Sequence, residues 1–290
     1  MKKIKQHLLL IACVTTTAIS VNAQSDSTGM PGDNFSLQGA LEMFKEATSP
    51  EQFEKLLNSP GKNVNNLDLN EDGETDYIRV ITKTKDNARV FVLQVPVSEK
   101  ENQDIAVIEL EKTGDTSATL QIVGDEEIFG EQKLVEPSDE GDEDAAYLSD
   151  YSGNHIGGPA AENFEPVRIV VNVFYWPCVR FVYRPAFVPW VSPYRWRAYP
   201  NWWKPWRPFA WHTFNRGCYR YHPHYAVVRT HRVVVAHRVY TPYRVSSVTV
   251  RSRTTVARNN YKITRTKVTG PRGNTRVKTT VHKRNKGRRG

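Results

Sequence analysis

Apolar residues at Phe35, Leu37, Leu41 and Phe44 recur at near-helical spacing and predict a helix within Phe35–Ala47. Ser49-Pro50-Glu51-Gln52 then reads as a second helix start, with Ser49 as cap, Pro50 in the first turn and Gln52 reaching back. Phe53, Leu56 and Leu57 supply its apolar stripe, and Pro60-Gly61 stops it. Beyond this point the period falls to two. Strands are predicted over Tyr77–Lys83, Ala88–Val97, Asp104–Lys112 and Ser117–Val123, with turn signals at Lys85-Asp86-Asn87 and Thr113-Gly114-Asp115. Ala106, Ile108 and Leu110 share one face, as do Leu120 and Ile122. The expected fold class is α+β: two short helices covering one face of an antiparallel β-meander.

The pattern changes in the second half. Val167–Phe174 is strand-like, and a block from Trp190 to Trp211 is dense in Trp, Tyr and Pro, with Arg195, Arg197, Lys204 and Arg207 threaded through it. Proline at that density excludes a long helix or a central strand. Tyr225–Val250 alternates Val with Arg and predicts one or two hairpins. From Arg251 onward Thr, Arg, Lys, Asn and Gly dominate, which predicts a disordered basic tail. The predicted order is a flexible leader at 24–34, an acidic α+β domain at 35–135 and an acidic linker at 136–165. An irregular, β-rich, Trp/Pro/Arg-rich region at 166–250 and the tail at 251–290 follow.

Residues 1–23 carry Lys2, Lys3 and Lys5, an apolar stretch and Val21-Asn22-Ala23 before Gln24. Such a segment is a secretory signal peptide. Leu10-Ile11-Ala12-Cys13 offers a lipoprotein cleavage box as the alternative. Either reading places the mature protein in the periplasm or at the outer membrane and cell surface. No later apolar run reaches the ~20 residues of a spanning helix. With the signal removed, Cys178 and Cys218 remain as a candidate disulfide in an oxidising compartment, two buried thiols being the alternative.

Charge sharpens the division. The chain of 290 residues has a net charge of +9, but all 31 Asp and Glu lie at or before Glu165 and 27 of the 40 Lys and Arg lie after it. All seven Trp lie after it too. A segment of +27 is neutralised by counterions, by a polyanionic partner or by the acidic half of its own chain.

Asp68-Leu69-Asn70-Glu71-Asp72-Gly73-Glu74-Thr75-Asp76 spells D-x-N-x-D-G-x-x-D. Alternate oxygen-bearing side chains around a glycine turn suit calcium, a hard cation that takes six to eight oxygens. The stretch resembles the first nine residues of an EF-hand loop, and the calcium loops of dockerins and integrin-type repeats. That resemblance implies side-chain ligation by Asp68, Asn70 and Asp72, a carbonyl from Glu74, and Asp76 binding directly or through water. It departs at the twelfth place, which is Arg79, and a β-rich run follows in place of a helix. A calcium-free Asp/Asn/Gly turn is the alternative.

The mixture of Arg195, Arg197, Trp202, Trp203, Lys204, Trp206 and Arg207 suits an interface with polyanions or an anionic membrane surface. It is similar in composition to Trp/Pro/Arg-rich antimicrobial peptides. Lipopolysaccharide, acidic glycans and extracellular DNA are the candidate polyanions. Docking of Glu136–Asp144 onto the basic half is the intramolecular alternative. His222 and His224 lie near Cys218, with His231 and His237 beyond, but Arg-rich surroundings and the lack of a nearby carboxylate argue against a metal there. No nucleophile motif or phosphate loop is legible. The whole chain is similar to exported Bacteroidetes proteins in which an acidic domain precedes a Trp/Tyr/Arg-rich region. The expectation is a non-enzymatic cell-envelope protein with a structural calcium and a polyanion-binding region, without a specific small-molecule substrate. A structural or assembly protein with paired halves and an envelope-polymer hydrolase are the alternatives.

Overall fold

A computed structural model describes residues 27–138, 170–269 and 275–283; the expected signal segment and most of the expected acidic linker lie outside the described residues. Helix α1 (Leu37–Glu46) starts at Ser36, whose Oγ accepts from the Gly39 N–H at 2.9 Å. Helix α2 (Pro50–Leu57) is capped by Ser49, and Gln52 reaches back to accept from the Thr48 N–H at 2.6 Å. Asn58 joins this helix to the sheet: its Nδ2 donates to the Ile78 carbonyl and its Oδ1 accepts from the Ile78 N–H.

Strands β1 (Arg79–Lys85), β2 (Ala88–Pro96), β3 (Asn102–Gly114), β4 (Ser117–Gly124) and β5 (Lys133–Pro137) pair antiparallel in chain order. A four-residue helix, α3 (Glu126–Phe129), bridges β4 and β5. The register sets Phe91 opposite Ile108 and Leu110 opposite Leu120, so their side chains fall on one face. Phe44 of α1 meets Phe91 there at 4.8 Å between ring centroids and Phe53 of α2 at 5.2 Å.

The basic half completes this unit. Strand β6 (Tyr225–Val228) pairs with β5, setting Val228 opposite Leu134 and Ala226 opposite Glu136. Helix α4 (Pro177–Val182) delivers Cys178, Val179 and Val182 to the core beneath α1, joined by Val173, Tyr221 and Tyr225. Helix α5 (Trp211–Cys218) packs by Phe214 and Cys218 against the turns Pro31–Asn34 and Tyr219–His224. Helix α6 (Val234–Tyr240) covers the opposite face of the sheet, where Val233, Ala236 and Tyr240 meet Val90, Val92, Val107, Val123 and Leu134. The last elements are α7 (Val248–Asn260) and the antiparallel pair β7 (Tyr261–Thr269) and β8 (Thr275–Lys283).

The molecule is thus α+β, with an antiparallel six-stranded sheet. Several expectations for the second half change. Tyr225–Val250 holds one strand and a helix where hairpins were expected, because Val233, Ala236 and Tyr240 also satisfy helical spacing and have a sheet face to cover. Residues 170–174 form no strand; Asn172 and Val173 instead bond the start of β4 singly, Val173 N–H to the Ala118 carbonyl and Asn172 Oδ1 to the Ala118 N–H. Glu136 and Pro137, the first positions of the expected linker, belong to β5. The described part of the tail is helical and then paired, the Thr, Val and Ile of β7 and β8 favouring strands where a lack of bulky apolar residues had suggested disorder.

Candidate functional site

The calcium-like loop lies between the buried Leu67 and Tyr77. Asp68 accepts from the Asp72 N–H at 3.1 Å through Oδ1 and from the Gly73 N–H at 2.9 Å through Oδ2. Asn70 Oδ1 accepts from the Asp72 N–H, and Asn70 Nδ2 donates to Asp72 Oδ2 at 2.8 Å. Asp72 Oδ1 accepts from the Glu74 N–H, while the Glu74 side chain is exposed. Gly73 turns at φ +84°, where a Cβ would be strained. Asp76 is buried and accepts from the Leu69 N–H. Burial pushes its carboxyl up to about 7, against the pull of that hydrogen bond and with Asp68 and Asp72 adding repulsion. Burial also raises Asp68. From α7, Arg253 donates to the Leu69 carbonyl and stands 3.5 Å from Glu71. The loop therefore collects oxygens and repelling negative charge, a chemistry that suits a hard cation. Its three Asp carboxylates do not form one closed ligand set, since among the described residues the group of three that does is elsewhere.

The Trp/Pro block runs along the edge strand and against this loop. The Thr82 N–H donates to the Trp190 carbonyl, the Ser192 N–H to the Val80 carbonyl and the Thr75 N–H to the Trp206 carbonyl. Glu54 of α2 anchors it from below, accepting from Ser192 Oγ at 2.8 Å and Trp190 Nε1 at 3.2 Å. The Tyr77 ring sits among Tyr194, Tyr199, Trp202 and Trp203, at 5.0 Å from Trp203. The expected interface residues therefore divide. Trp203 is 5% exposed and Trp206 half-buried, so they pack inward and do not form an open binding surface. Trp203 packs on Tyr77 and Tyr199, and Trp206 packs on Trp203. Trp202 is 45% exposed. Arg195, Arg197, Lys204 and Arg207 are exposed, and no carboxylate pairs with them among the described residues.

Other cations of the basic half meet carboxylates of the acidic half. Arg244 pairs with Asp125 at 2.6 Å, Arg251 with Glu127 at 2.8 Å and Arg232 with Glu136 at 3.3 Å. His231 and His237 both contact Glu109 of β3. Cys178 and Cys218 are buried free thiols in separate helices, the alternative to the candidate disulfide. Burial raises both, Cys218 to about 11, and the Cys218 thiol donates to the Phe214 carbonyl.

Beneath α6, Asp104 accepts from Gln94 Nε2 at 2.6 Å, the Val245 N–H at 2.8 Å and the Tyr240 hydroxyl at 3.1 Å. Burial nevertheless pushes its carboxyl up to about 6, from an ordinary 3.8. The folded state thus holds this proton more tightly than the unfolded chain. Its contribution to stability is full below pH ~4 and is lost as pH rises toward ~6, by up to ~3 kcal/mol. Asp104→Asn is expected to remove that slope from denaturant midpoints measured between pH 4 and 7; an unchanged slope would exclude Asp104 as its source.

Compared with known proteins, the chain matches no family model, no curated protein and no solved structure.

Proposed function

We propose that this is a non-enzymatic exported cell-envelope protein that binds an envelope polyanion. Its acidic core carries a structural calcium, and the binding surface is a cationic ledge on that core. The observation that carries this reading is the exposed set Arg195, Arg197, Lys204 and Arg207, without carboxylate partners among the described residues, on a segment tied to the sheet by backbone hydrogen bonds. A ledge held in place before binding loses little entropy when a polyanion docks. Trp202 at its edge offers an indole face to a sugar or acyl surface. Calcium at Asp68, Asn70, Asp72, Glu74 and Asp76 would favour the ionised carboxylates of Asp68 and Asp76, which burial, and secondarily repulsion among the loop's carboxylates, push toward the protonated form. It would also pin the backbone against which Trp206 is bonded.

The test is retention of the full mature chain on immobilised heparin and on lipopolysaccharide, with calcium and with chelator. Replacing Arg195, Arg197, Lys204 and Arg207 by Ser should shift elution to clearly lower salt and reduce the salt dependence of log K by about 3. Retention unchanged by the fourfold replacement would refute the ledge. Calcium should raise the melting temperature of the parent and not of an Asp68→Ala/Asp72→Ala chain; no rise in the parent removes the calcium. A second reading, a structural protein whose halves neutralise each other, draws support from the Arg244–Asp125, Arg251–Glu127 and Arg232–Glu136 pairs. It expects no retention by the parent chain at any ionic strength.

A further inference from the structure

On the sheet face covered by α6, Glu109 is completely buried, with 0% side-chain exposure. A buried carboxylate needs a compensating cation. Among the described residues no Lys or Arg pairs with it. Two imidazoles do: His231 Nε2 stands 2.5 Å from Glu109 Oε2, and His237 Nδ1 stands 2.7 Å from Glu109 Oε1. One ligand atom from each of the three residues falls within 4.8 Å of the others.

We propose that Glu109, His231 and His237 form a binding site for a borderline divalent transition metal of the zinc type. Two imidazole nitrogens and one carboxylate oxygen are a three-ligand set that zinc accepts, with the fourth position left to water. Ligands about 2.1 Å from a tetrahedral ion stand roughly 3.4 Å apart, so each ring must retreat by under about 1 Å. The rings have that freedom, with side-chain exposures of 22% for His231 and 33% for His237. Because the two rings face different oxygens of Glu109, the carboxylate turns to present one oxygen, or both, to the shared ion.

The surroundings fix the donors. Gln121 is paired with Glu109 across β3 and β4 and grips the chain on both sides of His231. Its Nε2 donates to the Thr230 carbonyl at 2.9 Å, and its Oε1 accepts from the Arg232 N–H at 2.7 Å. Glu111 accepts from the Ala236 N–H at 2.8 Å and so holds the first turn of α6, which carries His237. The neighbouring guanidinium of Arg232 is engaged by Glu136, which reduces its repulsion of an incoming cation. Such clamping of first ligands by outer partners is what a metal site requires. Calcium is disfavoured here because it prefers an all-oxygen shell, so this site is chemically distinct from the Asp68–Asp76 loop.

The test uses the full mature chain, stripped with chelator and titrated with Zn²⁺ by calorimetry and with Co²⁺ by visible absorption, in excess Ca²⁺ to occupy the loop. The expected result is one Zn²⁺ per chain and the intense visible bands of four-coordinate Co²⁺. His237→Asn and His231→Asn should each weaken Zn²⁺ binding tenfold or more and abolish those bands, while circular dichroism stays that of the parent. Glu109→Gln should do the same, but it also leaves a buried amide and is the less secure variant. A His222→Ala/His224→Ala chain should bind as the parent does. No stoichiometric binding by the parent, or parent-like affinity in both His231→Asn and His237→Asn, overturns the proposal and leaves a plain hydrogen-bonded triad.

Discussion

A chain ending at residue 165 is expected not to fold cooperatively, although it contains the whole predicted acidic domain. Truncation removes Val173, Val179, Val182, Tyr221, Tyr225 and Val250 from the core under α1 and α2, and Val233, Ala236 and Tyr240 from the opposite face. Large side chains contribute about 1.5–3 kcal/mol each when buried, so the loss is on the order of 10 kcal/mol. That equals a typical whole-domain stability of roughly 5–15 kcal/mol. Two further effects act in the same direction. Strand β5 loses its partner β6 and becomes an open edge. Residues 24–165 hold 31 acidic and ten basic residues, so the fragment also repels itself at −21. Thermal unfolding by circular dichroism should show no sigmoidal transition, and a hydrophobic dye should bind strongly. A sharp transition with a dispersed amide spectrum would mean that the acidic half is an independent domain after all.

The same interdependence explains what could be read from the chain and what could not. The cap Ser49, its partner Gln52 and the alternation in β3 and β4 act within a few residues, so local pattern captures them. Strand β6 answers to a partner about ninety positions earlier, and nothing local distinguishes Tyr225–Val228 from the alternating stretch beyond it. The polar residues Glu109, Glu111 and Gln121 alternate with apolar ones and so suggest a solvent face. They are instead where α6 and the His231 segment dock. Glu109 is separated from His231 by 122 positions and from His237 by 128, which is why a lack of local carboxylate had argued against a metal. One signal was present: three polar residues on the strands with the strongest apolar alternation. The turn at Asp68–Asp76 was legible because the hydrogen bonds among its own residues span at most seven positions.

The charge division takes on a different meaning in this light. Much of the positive half does not face outward as a separate arm. Arg232 and Arg244, on either side of α6, return to Glu136 of β5 and to Asp125 after β4, and Arg251 and Arg253 fasten α7 to Glu127 of α3 and to Glu71 of the Asp68–Asp76 loop. Half-exposed ion pairs of this kind contribute little each, and the apolar contacts under them do most of the holding. What the pairs supply is a match between specific partners, since like charges would meet in other registers. Among the described residues the exposed cations left over are those on the Trp/Pro ledge, together with Arg180, Arg184, Arg216, Arg220, Arg229 and Arg238.

Glu54→Ala is expected to be the most damaging single substitution. This buried carboxylate accepts four hydrogen bonds: from Tyr77 Oη at 2.7 Å, the Val80 N–H at 2.8 Å, Ser192 Oγ at 2.8 Å and Trp190 Nε1 at 3.2 Å. It thereby joins helix α2, the start of β1 and the Trp/Pro ledge at one point. Burial raises its proton affinity, and the four donors pull it back toward the ionised form. Removing it orphans four donors at about 1–3 kcal/mol each where water cannot reach them, so a loss of roughly 4 kcal/mol or more is expected. The ledge should loosen before the rest of the protein unfolds, because two of the four donors belong to it. Indole emission should shift to longer wavelength and quench more readily in the folded protein, and denaturant midpoints should fall. Glu54→Gln keeps one acceptor oxygen but turns an amide N–H₂ toward two of the donors, so about half the loss is expected. Ser192→Ala removes a single donor and leaves Glu54 with three, which separates the cost of that bond from the cost of the anchor. If Glu54→Ala melts within about 1 kcal/mol of the parent with unchanged emission, the ledge is held by its backbone bonds to Val80, Thr82 and Thr75 alone, and the glutamate is incidental to it.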